Sequence, residues 1–255
     1  MIDKKYNNSL IALAFGDSYG MAYEYDSLMG ISFKKEKLPD YPKIAKITDD
    51  TKMALMLYNH YLEYKTIKED ILFEEYKKWA QIDGIGDGIG IHTAEVLLDG
   101  KKDKDSQGNG ALMRNIPFGI KLIEDGFSFK EAVKLMNIDS ALTHANDVIF
   151  LSNELALDIA LNGIEVINKE KYKNLVKQLH FDYSAWVINT LYVVIEVLKK
   201  NLNFLDGFKE IVAMGGDTDT NCAIYGAIKG AKDNIQDELD INVFLGEDIK
   251  YFIKE

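Results

Sequence analysis

Apolar residues recur at three- and four-residue spacing through most of the 255-residue chain, a pattern that predicts α-helices. Alternating apolar and polar runs typical of β-strands are scarce, and Asn109-Gly110 is followed by a helical pattern. We therefore predict an all-α fold, a compact orthogonal helical bundle. The predicted helices are residues 10–23, 52–64, 70–80, 111–123, 130–136, 147–161, 184–198, 222–231 and 243–253.

Residues 184–198 are apolar nearly all round, so we expect them to form a central buried helix. No low-complexity linker, charge block or internal repeat divides the chain, which favours one domain over residues 1–255. Loops between helices commonly carry binding residues on a rigid scaffold. The segments of this kind, rich in Gly, Asp or Lys, are residues 34–50, 82–92, 99–109 and 214–220.

The composition limits the classes of function. A net charge of −11 argues against general binding to nucleic acid or anionic membranes, because neither polyanion would be attracted. A single cysteine, Cys222, excludes an internal disulfide framework and a thiolate metal site, and it is expected to be a small buried apolar residue. The apolar runs at 10–15 and 186–198 are too short for a secretory signal or a membrane span. We expect a cytoplasmic protein.

Two acidic clusters are the strongest chemical signal in the sequence. Residues 48–51 read Thr-Asp-Asp-Thr, residues 217–220 read Asp-Thr-Asp-Thr, and a helical pattern follows each. Thr and Asp are good N-cap residues, so two capped helices are one interpretation. One cap needs one such residue, whereas each cluster has four. Carboxylates that are brought together raise one another's pKa or recruit a cation, and hard oxygen ligands favour Mg²⁺ or Mn²⁺ over Zn²⁺.

A calcium loop is a competing metal site for the second cluster. Asp217, Asp219 and Asn221 have the spacing with which an EF-hand loop begins. That loop needs Gly at its sixth position and Glu at its twelfth, where this chain has Cys222 and Ile228. An EF-hand is therefore excluded. Two divalent ions, Mg²⁺ or Mn²⁺, could instead be bridged by such carboxylates a few ångströms apart, where they would bind vicinal hydroxyls or activate a water.

Two glycine-rich segments are candidate ligand loops. Residues 84–90 alternate glycine with other residues, which lets backbone N–H groups approach an anion closely, although a flexible turn is the alternative. The segment is neither a Rossmann fingerprint nor a P-loop. Residues 106–110 lead straight into a helix whose N-terminus could bind phosphate, with a turn and helix cap as the alternative.

Taken in order along the chain, these motifs resemble the ADP-ribosylglycohydrolase family, also called the dinitrogenase-reductase-activating glycohydrolase-like hydrolases. The resemblance implies an all-α fold with a binuclear Mg²⁺ centre in a cleft. It also implies hydrolysis at C1 of the distal ribose, which would release ADP-ribose from a modified protein side chain or a related conjugate. The matching segments are residues 16–20 with Glu24, 48–51, 86–90 with Thr93, 106–114, 143–145 and 215–220.

The resemblance also assigns roles by position. Glu24 matches the acid/base glutamate of the family. The implied metal ligands are Thr48, Asp49, Asp50, Asp217, Asp219 and Thr220. The implied substrate-binding residues, which would hold the diphosphate and riboses, are Gly86, Gly88, Gly90, Ser106, Gly108, Asn109, Gly110 and His144.

The acceptor linkage stays open at this stage. Members of the family that act on serine-linked ADP-ribose have an aromatic residue where this chain has Gln107, and bacterial arginine-specific members tend to have Asp where it has Gly88. Two other functions remain as alternatives. One is a non-catalytic ADP-ribose or nucleotide-binding module that keeps the metal site. The other is a metal-dependent phosphohydrolase, which is disfavoured because Lys52 alone adjoins the acidic clusters as a cation.

Overall fold

The computed structural model describes residues 5–41 and 46–232, and the chain is helical with no β-strand in these ranges. The predicted all-α class is confirmed. A π-helical turn covers Ala80–Gly84, and 3₁₀ turns cover Lys35–Lys37, Ile164–Asn168 and Glu170–Tyr172. The α-helices are α1 (Lys5–Leu28), α2 (Asp49–Tyr64), α3 (Glu69–Trp79), α4 (Ile85–Asp87), α5 (Ile91–Asp99), α6 (Leu112–Glu124), α7 (Phe129–Thr143), α8 (Asp147–Asn162), α9 (Lys173–Val176), α10 (Val187–Lys199), α11 (Phe204–Met214) and α12 (Thr218–Gly230).

Most predicted helices are present, several of them longer than predicted. α7 continues seven residues beyond its predicted end at Met136, to Thr143. The helix predicted for residues 184–198 begins only at Val187, because the residues before it form a largely exposed turn. The helix predicted for residues 243–253 lies outside the described residues. The sequence did not lead us to predict the helices α5, α9 and α11.

The most completely buried helix is α12, not α10. Every residue of α12 except Lys229 is buried, whereas α10 is partly exposed at Tyr192, Glu196 and Leu198. The prediction of a central helix at residues 184–198 is thus only partly correct. α12 owes its position to small side chains as much as to apolar ones, and an apolar pattern alone does not report this.

Helices α1 and α12 cross in backbone contact. A Cβ atom at Gly16 would lie 2.2 Å from the carbonyl oxygen of Cys222, and one at Gly20 would lie 2.1 Å from that of Thr218. The two glycines are four residues apart and therefore share one face of α1. No side chain fits on this face at either position. The close approach places the C-terminal half of α1 beside the start of α12.

The segment 82–92, predicted as a functional loop, is largely helical, so that prediction is wrong in its local structure. The π-helical turn Ala80–Gly84 continues α3, and the N–H of Ile89 donates to the carbonyl of Gly84 at 2.8 Å. The indole N–H of Trp79 donates to Asp87 Oδ2 at 2.8 Å. Alternating glycines suggested a break, but Gly84 lies in the π-helical turn and Gly86 in α4, and the helical path ends only at Gly88, where φ is 90°. π-helical turns are frequent at functional sites.

Cys222 is fully buried on α12, as expected, and burial raises the pKa of its thiol above the ordinary value. Within the part of the chain that the structure describes, no helix combines the length and apolar character needed to cross a bilayer. The single domain over residues 1–255 and the cytoplasmic location stay predictions.

Candidate active site

The two acidic clusters, residues 48–51 and 217–220, lie side by side in the fold and together form one cluster of carboxylates and hydroxyls. The hydroxyl of Thr220 donates to Oδ2 of Asp50 at 3.3 Å, although the two residues are 170 positions apart. Asp50 is in the first turn of α2, and Thr220 is in the first turn of α12. The N-termini of the two helices therefore converge on one place, as the metal-site interpretation requires.

Helix capping does not explain the clusters. Thr48 is the N-cap of α2 and Asp217 is the N-cap of α12, yet neither side chain makes a capping hydrogen bond. The Thr48 hydroxyl donates instead to Asp17 Oδ1 at 2.7 Å. One oxygen of Asp217 accepts from the side-chain amide of Asn109 at 2.6 Å. Both N-cap side chains thus face the cluster rather than their own helix.

A third element brings another carboxylate to the cluster. Oxygen atoms of Glu24, Asp217 and Asp219 all lie within 4.8 Å of one another. Glu24 is on α1, four residues beyond Gly20, so the glycine crossing of α1 and α12 positions it. Glu24 is partly exposed, whereas Asp217 and Asp219 are buried. Three separate segments therefore converge here.

Burial raises the pKa of these carboxyl groups, and repulsion between them raises it further. Burial and repulsion by Asp217 raise the pKa of Glu24. For Asp50, burial acts first, and the charged groups that add to it are all carboxylates. The ion pairs between described residues lie elsewhere in the fold, so none of them places a cation beside these carboxylates to lower their pKa. The pKa is raised well above its ordinary value of 3.8 for Asp49, Asp50 and Asp219.

The donor set fits a divalent cation that prefers oxygen. Oδ1 of Asp50 is buried and has no hydrogen-bond partner, which is costly for a carboxylate unless a cation completes its surroundings. Carboxylates and hydroxyls are hard ligands that suit Mg²⁺ or Mn²⁺. The residues that could hold such ions are Thr48, Asp49, Asp50, Asp217, Asp219 and Thr220, the six that the sequence indicated, with Glu24 beside them.

Asp17 is an important residue that the sequence reasoning did not single out. It is fully buried on α1, and its carboxylate accepts hydrogen bonds from the N–H and hydroxyl groups of both Thr48 and Thr51. These four bonds fix the first turn of α2 against α1. The available signal was a lone Asp inside an otherwise apolar helical run, where a carboxylate needs several donors to be buried.

The glycine-rich segment at residues 86–90 is divided between two environments. Gly90 donates its N–H to the Asp49 carboxylate, and a Cβ atom at Gly88 would lie 3.8 Å from Asp49 Oδ1. Gly86 has no heavy atom within 4 Å of its would-be Cβ, and its carbonyl accepts from Lys46 Nζ at 3.0 Å. All three glycines are exposed, but the structure brings only Gly88 and Gly90 to the cluster, whereas Gly86 faces Lys46.

The segment at residues 106–110 packs on the ring of His144. A Cβ atom at Gly108 would lie 3.1 Å from His144 Nε2, and one at Gly110 would lie 3.0 Å from His144 Cε1. The segment approaches the ring closely because these positions lack side chains. Burial lowers the pKa of His144 well below its ordinary value, so the ring is neutral. His144 thus lies beneath the loop, and Ser106 is 3.8 Å from the would-be Cβ of Gly108.

A buried ion pair supports the same loop from below. Arg114 is fully buried, its Nε donates to Asp139 Oδ2 at 2.8 Å, and its NH1 group donates to the Gly110 carbonyl at 2.6 Å. Tyr76 donates to the other Asp139 oxygen at 2.8 Å. The network fixes the backbone of the glycine segment. Asp139 lies on α7 beyond the predicted end of that helix at Met136, and the sequence alone gave no sign that it pairs with Arg114.

The residues around Gln107 pair with the turn that precedes α10. The N–H of Asn109 donates to the Ala185 carbonyl at 3.0 Å, and the N–H of Val187 donates to the Gln107 carbonyl at 2.8 Å. This pairing forms an isolated bridge between Gly108 and Trp186. An indole that is 55% exposed therefore lies beside the loop, although position 107 itself is not aromatic.

Comparisons with known proteins agree with this architecture. A sequence profile of the family described as ADP-ribosylglycohydrolase matches residues 2–237. A protein of Acanthamoeba polyphaga mimivirus, with the provisional name ADP-ribosyl glycohydrolase L543, is 26% identical over 290 residues, which cover 91% of this chain and 87% of that protein. An uncharacterized protein of Archaeoglobus fulgidus is 23% identical over 91% of this chain and 88% of its own length.

A solved structure titled "ADP-ribosylglycohydrolase-related protein complex" has the same fold. It superposes with a TM-score of 0.73 and 20% sequence identity, over 98% of this chain and 95% of that one. At this level of identity the likeness concerns the fold alone. The family profile, however, spans nearly the whole chain. This chain therefore belongs to the ADP-ribosylglycohydrolase family of hydrolases.

Proposed function

We propose that the protein is a Mg²⁺-dependent hydrolase that cleaves the glycosidic bond at C1 of the distal ribose. The products would be ADP-ribose and the free acceptor, which is a protein side chain or a related conjugate. Family membership supports ADP-ribosylglycohydrolase activity in general. The finer proposal is supported mainly by the carboxylates of Glu24, Asp217 and Asp219, which meet within 4.8 Å.

Two divalent ions in this cluster would supply the positive charge that orients the ribose hydroxyls and activates water. The protein's own groups prepare the ligands. Because the Thr48 hydroxyl donates to Asp17 at 2.7 Å, the lone pairs of Thr48 Oγ1 are available to a cation. Asn109 fixes one oxygen of Asp217 at 2.6 Å, which orients that carboxylate. Such outer-shell hydrogen bonds commonly determine ligand orientation.

Glu24 has the properties of a group that transfers a proton. It is partly exposed at the edge of the cluster, and burial together with the charge of Asp217 raises its pKa. A raised pKa places proton exchange closer to neutral pH, where acid/base catalysis is most effective. We assign to Glu24 the transfer of a proton to the leaving acceptor or from the attacking water.

The nucleotide part of the substrate is assigned to the glycine-rich segments. Gly90 precedes α5 and presents a helix N-terminus next to Asp49, which suits a phosphate group. Gly108 and Gly110 leave backbone exposed to a ligand above His144. The exposed ring of Trp186 offers adenine the aromatic surface that Gln107 does not provide.

The direct test is release of ADP-ribose from ADP-ribosyl-arginine and ADP-ribosyl-serine peptides, with Mg²⁺ and with EDTA. We expect release from at least one peptide with Mg²⁺ and none with EDTA. Folded protein that releases nothing from either peptide would contradict the proposal. Binding of ADP-ribose without release would instead favour the non-catalytic module, and release of phosphate from nucleotides would favour a phosphohydrolase.

Replacing Glu24 with Gln should reduce kcat about 100-fold and leave the affinity for ADP-ribose unchanged, because the amide keeps the shape but cannot transfer a proton. Single-turnover kinetics and calorimetry measure the two quantities. Asp26→Asn, an exposed position on the same helix, serves as the matched control and should behave as wild type. Unchanged turnover in Glu24→Gln would remove Glu24 from the mechanism.

The stabilisation by Mg²⁺ should grow with pH. Asp49, Asp50 and Asp219 have folded-state pKa values raised well above 3.8. Their contribution to stability is therefore complete below 3.8 and is lost in metal-free protein as pH rises through the folded-state pKa. Bound Mg²⁺ replaces the lost protons, so the difference in melting temperature between Mg²⁺ and EDTA should increase from about pH 5 to about pH 8. A constant difference would contradict the prediction.

A further inference from the structure

A cavity of about 470 Å³ lies along the C-terminal end of α1, beyond Glu24 in the chain. Ser27 and Leu28 line it, and they lie three and four residues beyond Glu24, on the same face of the helix. Gly215, two residues before Asp217, lines the opposite side. The cavity therefore lies one helical turn beyond Glu24 and two residues before Asp217, and none of its lining residues carries a charge.

Tyr183, which also lines this cavity, has an unusual backbone. Its φ angle is 63°, in the left-handed region that bulky residues rarely adopt, and its side chain is 58% exposed. Its backbone packs on the glycine turn before Asp217, because a Cβ at Gly216 would lie 3.2 Å from the Tyr183 Cα atom. A strained, exposed aromatic residue next to a candidate catalytic turn calls for a functional explanation.

The strained turn is held in place by buried hydrogen bonds. Asn189 on α10 is fully buried, its Oδ1 accepts from the Asp182 N–H at 3.1 Å, and its Nδ2 donates to the Ser184 carbonyl at 2.6 Å. Asp182 in turn accepts from the Ser184 hydroxyl at 2.6 Å. The ring of Phe181 supports that of Tyr183 at a centroid distance of 4.4 Å. These hydrogen bonds and the ring contact fix the conformation of the turn, which therefore presents the Tyr183 ring to the cavity in one orientation.

We propose that this cavity is the acceptor subsite and that the Tyr183 ring binds the polypeptide segment that carries the ADP-ribose. This inference rests on the proposed function. The nucleotide is assigned to the side of the cluster near Gly90, Asn109 and Trp186, whereas the leaving acceptor must lie near Glu24, to which the proton transfer at the cleaved bond is assigned. The uncharged walls favour apolar and aromatic contact over ion pairing, so the acceptor's contribution to affinity should depend little on salt.

The test measures binding to the Glu24→Gln protein, which holds the conjugate without cleaving it. The probes are an intact ADP-ribosylated peptide and free ADP-ribose, each by calorimetry with Mg²⁺. Adding Tyr183→Gly should weaken binding of the peptide conjugate about tenfold and leave ADP-ribose binding unchanged. Tyr183→Phe should retain the wild-type affinity for the conjugate, because it keeps the ring.

The melting temperature of Tyr183→Gly distinguishes a role of Tyr183 in acceptor binding from a purely structural role. Glycine adopts a φ of 63° without strain, so Tyr183→Gly should melt at or above the wild-type temperature. Lys65→Gly is the matched control, since Lys65 has a φ of 54° and ends α2 away from the cavity, and it should leave both affinities unchanged. If Tyr183→Gly lost the same affinity for the conjugate and for ADP-ribose, or lost affinity for neither, the inference would be overturned. A wild-type protein that neither binds nor releases ADP-ribose would instead overturn the proposed function.

Discussion

Replacing Asp50 with Asn is expected to abolish release of ADP-ribose while stabilising the metal-free protein. The Asp50 carboxylate bridges the two clusters and has one buried oxygen without a partner. Its affinity for a cation should therefore be essential, and loss of a ligand should lower metal affinity by more than about 100-fold, since outer-shell partners alone contribute 10–100-fold. In EDTA the same change removes a charge that repels Asp49 and Glu24, so the melting temperature should rise.

The measurement is a melting curve with Mg²⁺ and with EDTA for each variant. Wild type should be stabilised by Mg²⁺, because a ligand that binds only the folded state raises its stability. Asp50→Asn should show little such gain. Asp70→Asn is the matched control, because Asp70 is an exposed Asp at the same position in the first turn of α3. Both substitutions therefore remove the same favourable interaction between a carboxylate and a helix N-terminus. If Mg²⁺ raised the melting temperature of Asp50→Asn as much as that of wild type, Asp50 would not be a ligand.

The acidic clusters could be predicted from the sequence because their signal is local. Four polar residues in a row, twice, exceed what capping needs, whatever the fold around them. Their proximity could be proposed only because carboxylates at both ends of the chain fit one metal site. The hydrogen bond from Thr220 to Asp50 shows that the segments meet. The roles of these residues as ligands stay a proposal.

The supporting residues could not be predicted, because each depends on a partner far along the chain. Asp17 stands alone in a helical run, and its four donors come from Thr48 and Thr51 on another helix. Arg114 pairs with Asp139, which has no local feature to distinguish it from a surface aspartate. A buried polar group shows its importance only when burial and partners are known.

The local sequence pattern also gave a wrong prediction at glycine-rich segments, because glycine can either break a helix or allow two helices to pack closely. At residues 82–92 alternating glycines predicted a loop, and the structure has a π-helical turn and the short helix α4. In α1 the glycines at positions 16 and 20 lie within a regular helix, where they allow backbone contact with α12. Sequence spacing cannot distinguish a glycine that breaks a helix from one on which another helix packs.

Gly20→Ala should therefore both destabilise the protein and separate the carboxylates of the cluster. Its Cβ would lie 2.1 Å from the Thr218 carbonyl oxygen and 2.6 Å from the Asp219 Cα atom, and both are backbone atoms that cannot turn aside. α12 must move away from α1, which separates Asp219 from Glu24. We expect the free energy of unfolding to fall by about 3 kcal/mol or more, at the upper end of overpacking effects.

Equilibrium unfolding in urea measures the stability, and calorimetry with Mg²⁺ measures the site. Gly86→Ala is the matched control, because nothing lies within 4 Å of its would-be Cβ, and its stability should equal or slightly exceed that of wild type. Both glycines are helical, but only Gly20 faces the backbone of another helix. If Gly20→Ala kept both the wild-type stability and Mg²⁺ uptake, the approach of α1 to α12 could not be what brings Glu24 to the Asp217 and Asp219 carboxylates.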